Sequence, residues 1–222
     1  MATLHHYPLS PSCRLVRLQL AEYDIQLGMK TWVMWDQSQE LLSLNPAGQL
    51  PIFEDEKNGI IPGARVISEW VEEVMETAWL MPKTPGERAE TRRLVDWFEV
   101  KFWEEVSKPL LRERVIKRFQ SGETISSELL RIALSNARVH LDYIDWLAAQ
   151  HPWLAGSDMT LADLVAAAYL SVIDYFGDVD WDRFQEAKMW YMKLKSRPSF
   201  RPLLTDILVG MPPAAHYSEL DF

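Results

Sequence analysis

Residues 45–53 read Asn45-Pro46-Ala47-Gly48-Gln49-Leu50-Pro51-Ile52-Phe53. Asn45-Pro46 closes whatever helix precedes it, because the proline ring disfavours helical backbone at the residue before it. Gly48 suits a turn, and Leu50-Pro51-Ile52-Phe53 opens a brief apolar strand. Pro51, at the mouth of a strand and straight after a glycine turn, is expected in the cis form. Only about 5–6 % of X–Pro bonds are cis, so position carries this expectation and composition does not. A cis bond turns the N–H and C=O of Leu50 outward, ready to pair with an extended peptide.

Toward the N-terminus, Thr3 to Tyr7 reads as a strand ended by Pro8. Arg14 to Glu22 carries the stripe of an amphipathic helix at Leu15, Val16, Leu18, Leu20 and Ala21. Met29 to Met34 reads as a second strand and Gln37 to Leu44 as a short helix. Toward the C-terminus, Lys57-Asn58-Gly59 is a tight turn into Ile60-Ile61. A helix follows from Ser68, with Trp70/Val71 and Val74/Met75 four apart. The order β-α-β-α-β-β-α describes a mixed sheet of thioredoxin-like type over residues 1–79. Residues 80–87 (LMPKTPGE) read as a linker. Residues 88–210 read as an all-helical domain, with helices over roughly 87–119, 124–150, 160–177, 182–196 and 199–209. The fold class is therefore α/β plus all-α. Residues 211–222 (MPPAAHYSELDF) form a tail, either laid back on the surface or free, because two prolines stop the preceding helix.

Hydrophobic residues make up 48 % and charged residues 25 % of the 222, ordinary for a chain with a real core. The ten Trp argue for thick aromatic packing and for an interface. A net charge of −9 would be repelled by phosphate backbones, which speaks against nucleic acid. The local exception, Arg112, Arg114, Lys117 and Arg118, reads as solvated charge. Cys13 is the only cysteine, so no disulfide can form within the chain, as fits a reducing cytoplasm. The N-terminal residues do not form a signal peptide. The longest apolar run, Leu161 to Ile173, falls short of the ~18 residues of a membrane span and is interrupted by Asp163. A soluble, cytoplasmic protein without membrane insertion is expected. No metal site is expected: His5 and His6 share a strand and point to opposite faces, and His140, His151 and His216 have no ligand spacing around them.

Two further motifs stand out. Thr160-Leu161-Ala162-Asp163 is a capping box, flanked by Met159 and Leu164 as a hydrophobic staple, and its role is structural. Ser10-Pro11-Ser12-Cys13-Arg14 opens the first helix, where a hydroxyl or thiol feels the positive end of the helix dipole. The plain readings there are Ser10 as an N-cap and Cys13 as a small buried hydrophobe.

Taken together, these pieces resemble the glutathione transferase superfamily over nearly the whole chain. In order they are HHYPLSPSCRLVRLQLAEYDI, NPAGQLPIFED, VISEWVEEVM, GSDMTLADL and SRPSFRPLL. The resemblance implies that Ser10, with Cys13 next, would activate the glutathione thiol, and that Leu50 before Pro51 would pair with the tripeptide backbone. An acid–serine pair at the start of the third helix would hold the γ-glutamyl end. The pairs Trp70/Val71 and Val74/Met75 put Ser68 on the serine and Ile67 on the acid. An Ile there removes the counter-charge of the ligand ammonium, a loss of about 1.5–3 kcal/mol. No cofactor is then expected, and Ser10, Cys13, Leu50, Pro51, Ile67 and Ser68 become a vestigial frame.

The degenerate site, GERAETRRLVDWF at residues 86–98 and the HYSELDF terminus resemble more narrowly the glutathione-transferase-like division family of alphaproteobacteria (FzlA type). That likeness implies a non-catalytic homodimer that binds FtsZ filaments at the division site and links the ring to cell-wall synthesis. Tyr217, Leu220 and Phe222 alternate with Glu219 and Asp221, as suits a segment docking into a groove with a basic rim. They are candidates for partner binding, with the cell-wall machinery as partner of the tail. Trp32 and Trp35, at the end of the second strand, form another candidate patch. The alternative is an active glutathione transferase, or a glutathione-dependent thiol transferase, using Ser10 or Cys13.

Overall fold

A computed structural model describes residues 2–220. Four strands, β1 (Thr3–His6), β2 (Gly28–Thr31), β3 (Ile52–Asp55) and β4 (Gly59–Pro62), form one sheet in the order β2-β1-β3-β4. β1 runs parallel to β2 and antiparallel to β3, and β3 is antiparallel to β4. The parallel pair needs a crossover, and α1 (Pro11–Glu22) supplies it. α1 starts three residues before the apolar stripe suggests. The Ser10 hydroxyl accepts from the Cys13 amide at 3.4 Å, and Pro11 sits where a missing N–H is harmless. β2 stops at Thr31, short of Met34, because the chain turns once Trp32 N–H has reached the His6 carbonyl (2.9 Å). α2 (Gln39–Leu44) begins behind the cap of Ser38, and the Leu50–Pro51 bond that follows it is cis.

The third helix corrects the sequence reading. α3 spans Ala64–Val74, four residues ahead of Ser68. Gly63, at φ 96°, turns the chain sharply out of β4 and occupies the N-cap without a side chain to cap with. The buried stripe is Ala64, Ile67, Ser68 and Val71, the i, i+3, i+4, i+7 pattern of a core-facing helix. Trp70 is half-buried and Val74 exposed, so of the residues used to set the register only Val71 belongs to that stripe.

α4 (Pro85–Asp96) begins inside the expected linker. Thr84 caps it by accepting from the Glu87 amide, so residues 85–87 form the first turn. The helix continues through Trp97–Ser107, wound with π geometry, α5 (Lys108–Leu111) and a second π-wound stretch, Arg112–Ser121. Gly122, at φ 65°, ends it in the left-handed conformation. α6 (Ser127–Gln150), α7 (Leu161–Tyr175) and α8 (Gln185–Lys195) follow. Every residue of α7 is buried, as befits a helix apolar nearly all round, and α1 packs across it to join sheet and helices. No helix among the described residues is long and apolar enough to cross a membrane.

A single helix over 199–209 does not form. The chain makes a 3₁₀ turn (Pro198–Phe200) and the short α9 (Arg201–Leu204) instead. Two attractions pull it off the helical path: Asp206 meets Arg17 at 2.7 and 3.0 Å, and the Leu208 amide donates to the Tyr175 hydroxyl at 2.9 Å. The segment after Pro212-Pro213 packs on the body as far as Tyr217. Ala214 N–H donates to the Tyr175 carbonyl (2.8 Å), and Ala215–Ser218 make a 3₁₀ turn.

Candidate functional site

The sheet and the helical stretch after α4 enclose a cleft of about 300 Å³. Tyr7, Ser10, Ser12, Gly48, Gln49 and Leu50 line it from the sheet side, and Glu99, Trp103 and Tyr169 from the helices. Sequence-expected Ser10 and Leu50 therefore do meet across one space. Among the described residues neither the Leu50 N–H nor its C=O has a hydrogen-bond partner, which leaves a free peptide edge. The Tyr7 hydroxyl is buried there without a partner among the described residues, and Ser12 and Tyr169 share a hydrogen bond at 3.3 Å.

The other expected residues fall elsewhere. Cys13 points away from the cleft into the core, fully buried, with its sulfur accepting from the Tyr7 amide (3.4 Å). Burial pushes the thiol up to about 11, against the smaller pull of the Ser10 and Tyr7 hydrogen bonds. At neutral pH it is a thiol and no nucleophile. Folded protein should therefore resist a thiol reagent such as 5,5′-dithiobis(2-nitrobenzoate) at pH 8 and react fully only in denaturant. Stoichiometric labelling of the native state within minutes would show the thiol to be open to the cleft. Ser10 acts as the cap of α1, and no base lies within hydrogen-bond reach of it among the described residues.

Ile67 and Ser68 do not reach the cleft as a ligand pair. Ile67 is fully buried in the core, and the Ser68 carbonyl accepts from the Gln19 amide at 3.1 Å. The start of α3 belongs instead to Gly63 and Ala64, neither of which carries a polar side chain. Arg65 faces the helices, paired with Asp96 (3.1 Å) and Glu99 (3.0 Å). Burial raises the Glu99 carboxyl and Arg65 opposes that rise.

The partner-binding candidates divide. Tyr217 is 0 % exposed, which withdraws it as a docking anchor. Its hydroxyl accepts from Arg14 (2.7 Å) and donates to the Leu203 carbonyl (3.1 Å), a polar socket that a tyrosine fills better than solvent would. Trp32 is withdrawn too: it is 8 % exposed, and its indole N–H donates to His5 Nδ1 at 3.0 Å. Trp35 is half-buried, packed beside Tyr7, Leu9 and Tyr217. Leu220 is exposed, while Asp221 and Phe222 lie outside the described residues. Thr160 and Asp163 occupy the buried start of α7, where the Asp163 carboxylate accepts from the Thr160 amide at 2.9 Å.

Sequence reasoning missed Tyr7, Ser12, Glu99, Trp103 and Tyr169. The first two adjoin the Ser10 motif and could have been read with it. The other three come from helices with no local mark of a site.

Comparison with known proteins places this geometry. The glutathione S-transferase N-terminal domain family matches residues 4–78. FtsZ-localized protein A of Caulobacter vibrioides (strain NA1000 / CB15N) is 48 % identical over 223 residues, covering 99 % of this chain and 98 % of that protein. The solved structure of FzlA from C. crescentus superposes with a TM-score of 0.95 at 47 % identity, over 100 % of this chain and 99 % of that one. A crystal structure of a glutathione S-transferase from Rhodospirillum rubrum F11 superposes over the full length of both chains, with a TM-score of 0.97 and 42 % identity.

Proposed function

Because the chain belongs to the glutathione S-transferase superfamily, in the group of FtsZ-localized protein A, we propose that it is a non-catalytic, FtsZ-binding protein of bacterial cell division. The observation that carries the loss of catalysis is the start of α3. Gly63 and Ala64 offer no charge and no hydroxyl to a γ-glutamyl group, while the Leu50–Pro51 peptide edge persists. The buried Cys13 thiol adds no second route. The association with FtsZ is supported by the relative's name and by likeness over the whole chain.

A homodimer is part of the same reading. The groove between α3 and α4 carries Arg65, Glu69, Glu72 and Glu73 on one wall and Arg88, Arg92, Asp96 and Glu99 on the other. Both signs on one surface let a two-fold copy match them reciprocally. The end of the tail, from Leu220 onward, is the segment proposed to reach the cell-wall machinery.

Co-sedimentation with purified FtsZ polymers in GTP tests the reading, and the protein is expected in the pellet with the polymer. A protein that stays in the supernatant at every concentration sinks it. Calorimetric titration with glutathione to millimolar concentration is expected to give no saturable heat. A clear binding isotherm there would favour the alternative, a transferase that uses Ser10.

A further inference from the structure

An open groove of about 550 Å³ runs along the N-terminal half of α6, beside the face of that helix that packs on the core. Leu130 and Leu134, four residues apart on one face, form its apolar floor, and Arg114, Arg131 and Arg138 its rim. Among the described residues no carboxylate lines it. That is a local reversal of sign on a chain whose net charge is −9.

The three arginines differ in what they are free to do. Arg114 is fixed: it pairs with Asp178 at 2.7 Å and lies over the Phe176 ring at 5.0 Å. Lys117, which belongs to the basic stretch picked out in the sequence, pairs with Glu113 at 2.9 Å. For Arg114 and Lys117 the solvated-charge reading does not hold: both are largely shielded and paired with carboxylates of their own chain. Arg131 and Arg138 come from a different helix and are exposed, with no ion pair or hydrogen bond among the described residues. They stand seven residues apart on one face of α6, about 10 Å along the axis. That span matches about three residues of extended chain. Leu134, half-buried beside the core and three and four residues from the two arginines, lies between them on that face.

We propose that this groove is the docking surface for an acidic segment of the FtsZ subunit, with two carboxylates reaching Arg131 and Arg138 and an apolar side chain seated on Leu134. The surface rests on the reading that the chain binds FtsZ. Arginines that flank an apolar floor supply both the forked donors and the desolvated contact that concentrate binding energy. Complementary charge also makes the association dependent on salt.

The test is co-sedimentation of the full chain with FtsZ polymers in GTP, across a salt series. Arg131→Glu/Arg138→Glu is expected to weaken binding at least tenfold and to flatten its salt dependence. Arg131→Lys/Arg138→Lys should recover most of the binding through charge alone. Lys57→Glu, on the remote β3–β4 turn, should bind as wild type does. Because both arginines are exposed and unpaired among the described residues, the melting temperature of the double variant should be unchanged. If wild type and the Glu variant pellet alike, the groove is not the surface, though the division reading stands. If wild type itself does not pellet, both fall together.

Discussion

Replacing Asp163 by Ala is expected to lower the free energy of unfolding by about 3–5 kcal/mol, a large share of the roughly 5–15 kcal/mol that holds a protein folded. The carboxylate is fully buried at the first turn of α7. Oδ1 accepts from the Leu154 amide and the Trp190 indole, each at 2.9 Å. Oδ2 accepts from the Thr160 amide at 2.9 Å and its hydroxyl at 3.3 Å. All its neighbours donate. Alanine would strand three buried N–H groups at about 1–3 kcal/mol each. Asp163→Asn keeps the shape but turns an NH₂ toward donors, so about half the loss is expected. Guanidinium denaturation should show a lower midpoint with an unchanged slope for both variants. A loss under about 1 kcal/mol for Asp163→Ala would mean the site relaxes or admits water.

Arg14→Ala is expected to cost about as much, 3–5 kcal/mol, and also to release the C-terminal segment. This guanidinium is 0 % exposed and ties four parts of the chain together. It donates to the Pro8 carbonyl (2.7 Å), the Ser171 hydroxyl (2.8 Å), the Tyr217 hydroxyl (2.7 Å) and, at 3.4 Å, Asp206. Without it, Asp206 still pairs with Arg17, but Tyr217 loses its donor. Limited proteolysis should cut after residue 210 in the variant and spare that segment in wild type. Tyr217→Phe should lose less, about 1.5–3 kcal/mol, because the ring still packs against Tyr175 at 5.2 Å. Arg14→Lys should not restore stability, since one ammonium cannot replace a planar fork. Identical digestion patterns for wild type and Arg14→Ala would show that the tail is held by its apolar contacts alone.

Arg14 also shows where reading a sequence stops. In the linear chain it is one cation in an amphipathic helix, with nothing to single it out from Arg17. Three of its partners, Ser171, Asp206 and Tyr217, lie more than 150 residues away. Tyr217 was legible as an apolar anchor among acids, yet whether it faced a partner or its own domain depended on that socket. The register of α3 went astray for a related reason. Ile67/Val71 and Trp70/Val74 are both apolar pairs four apart, and only the sheet beneath the helix selects which of them is inside.

What the sequence by itself determined is local and rests on backbone chemistry. The Asn45–Phe53 turn with its cis proline, the crossover order of the sheet, the caps of Ser10 and Thr160 and the helical character beyond residue 85 follow from residues a few positions apart. What only the tertiary structure decided depends on the meeting of distant segments. It brought the Leu50 peptide edge against Trp103 and Tyr169, put Gly63 and Ala64 at the start of α3, and closed the tail over Arg14. It also left Arg131 and Arg138 without partners among the described residues, on a surface that local sequence marks only as helix. Hydrogen bonding and φ/ψ preference act between near neighbours and can be read along the chain, whereas burial depends on what the rest of the fold brings alongside.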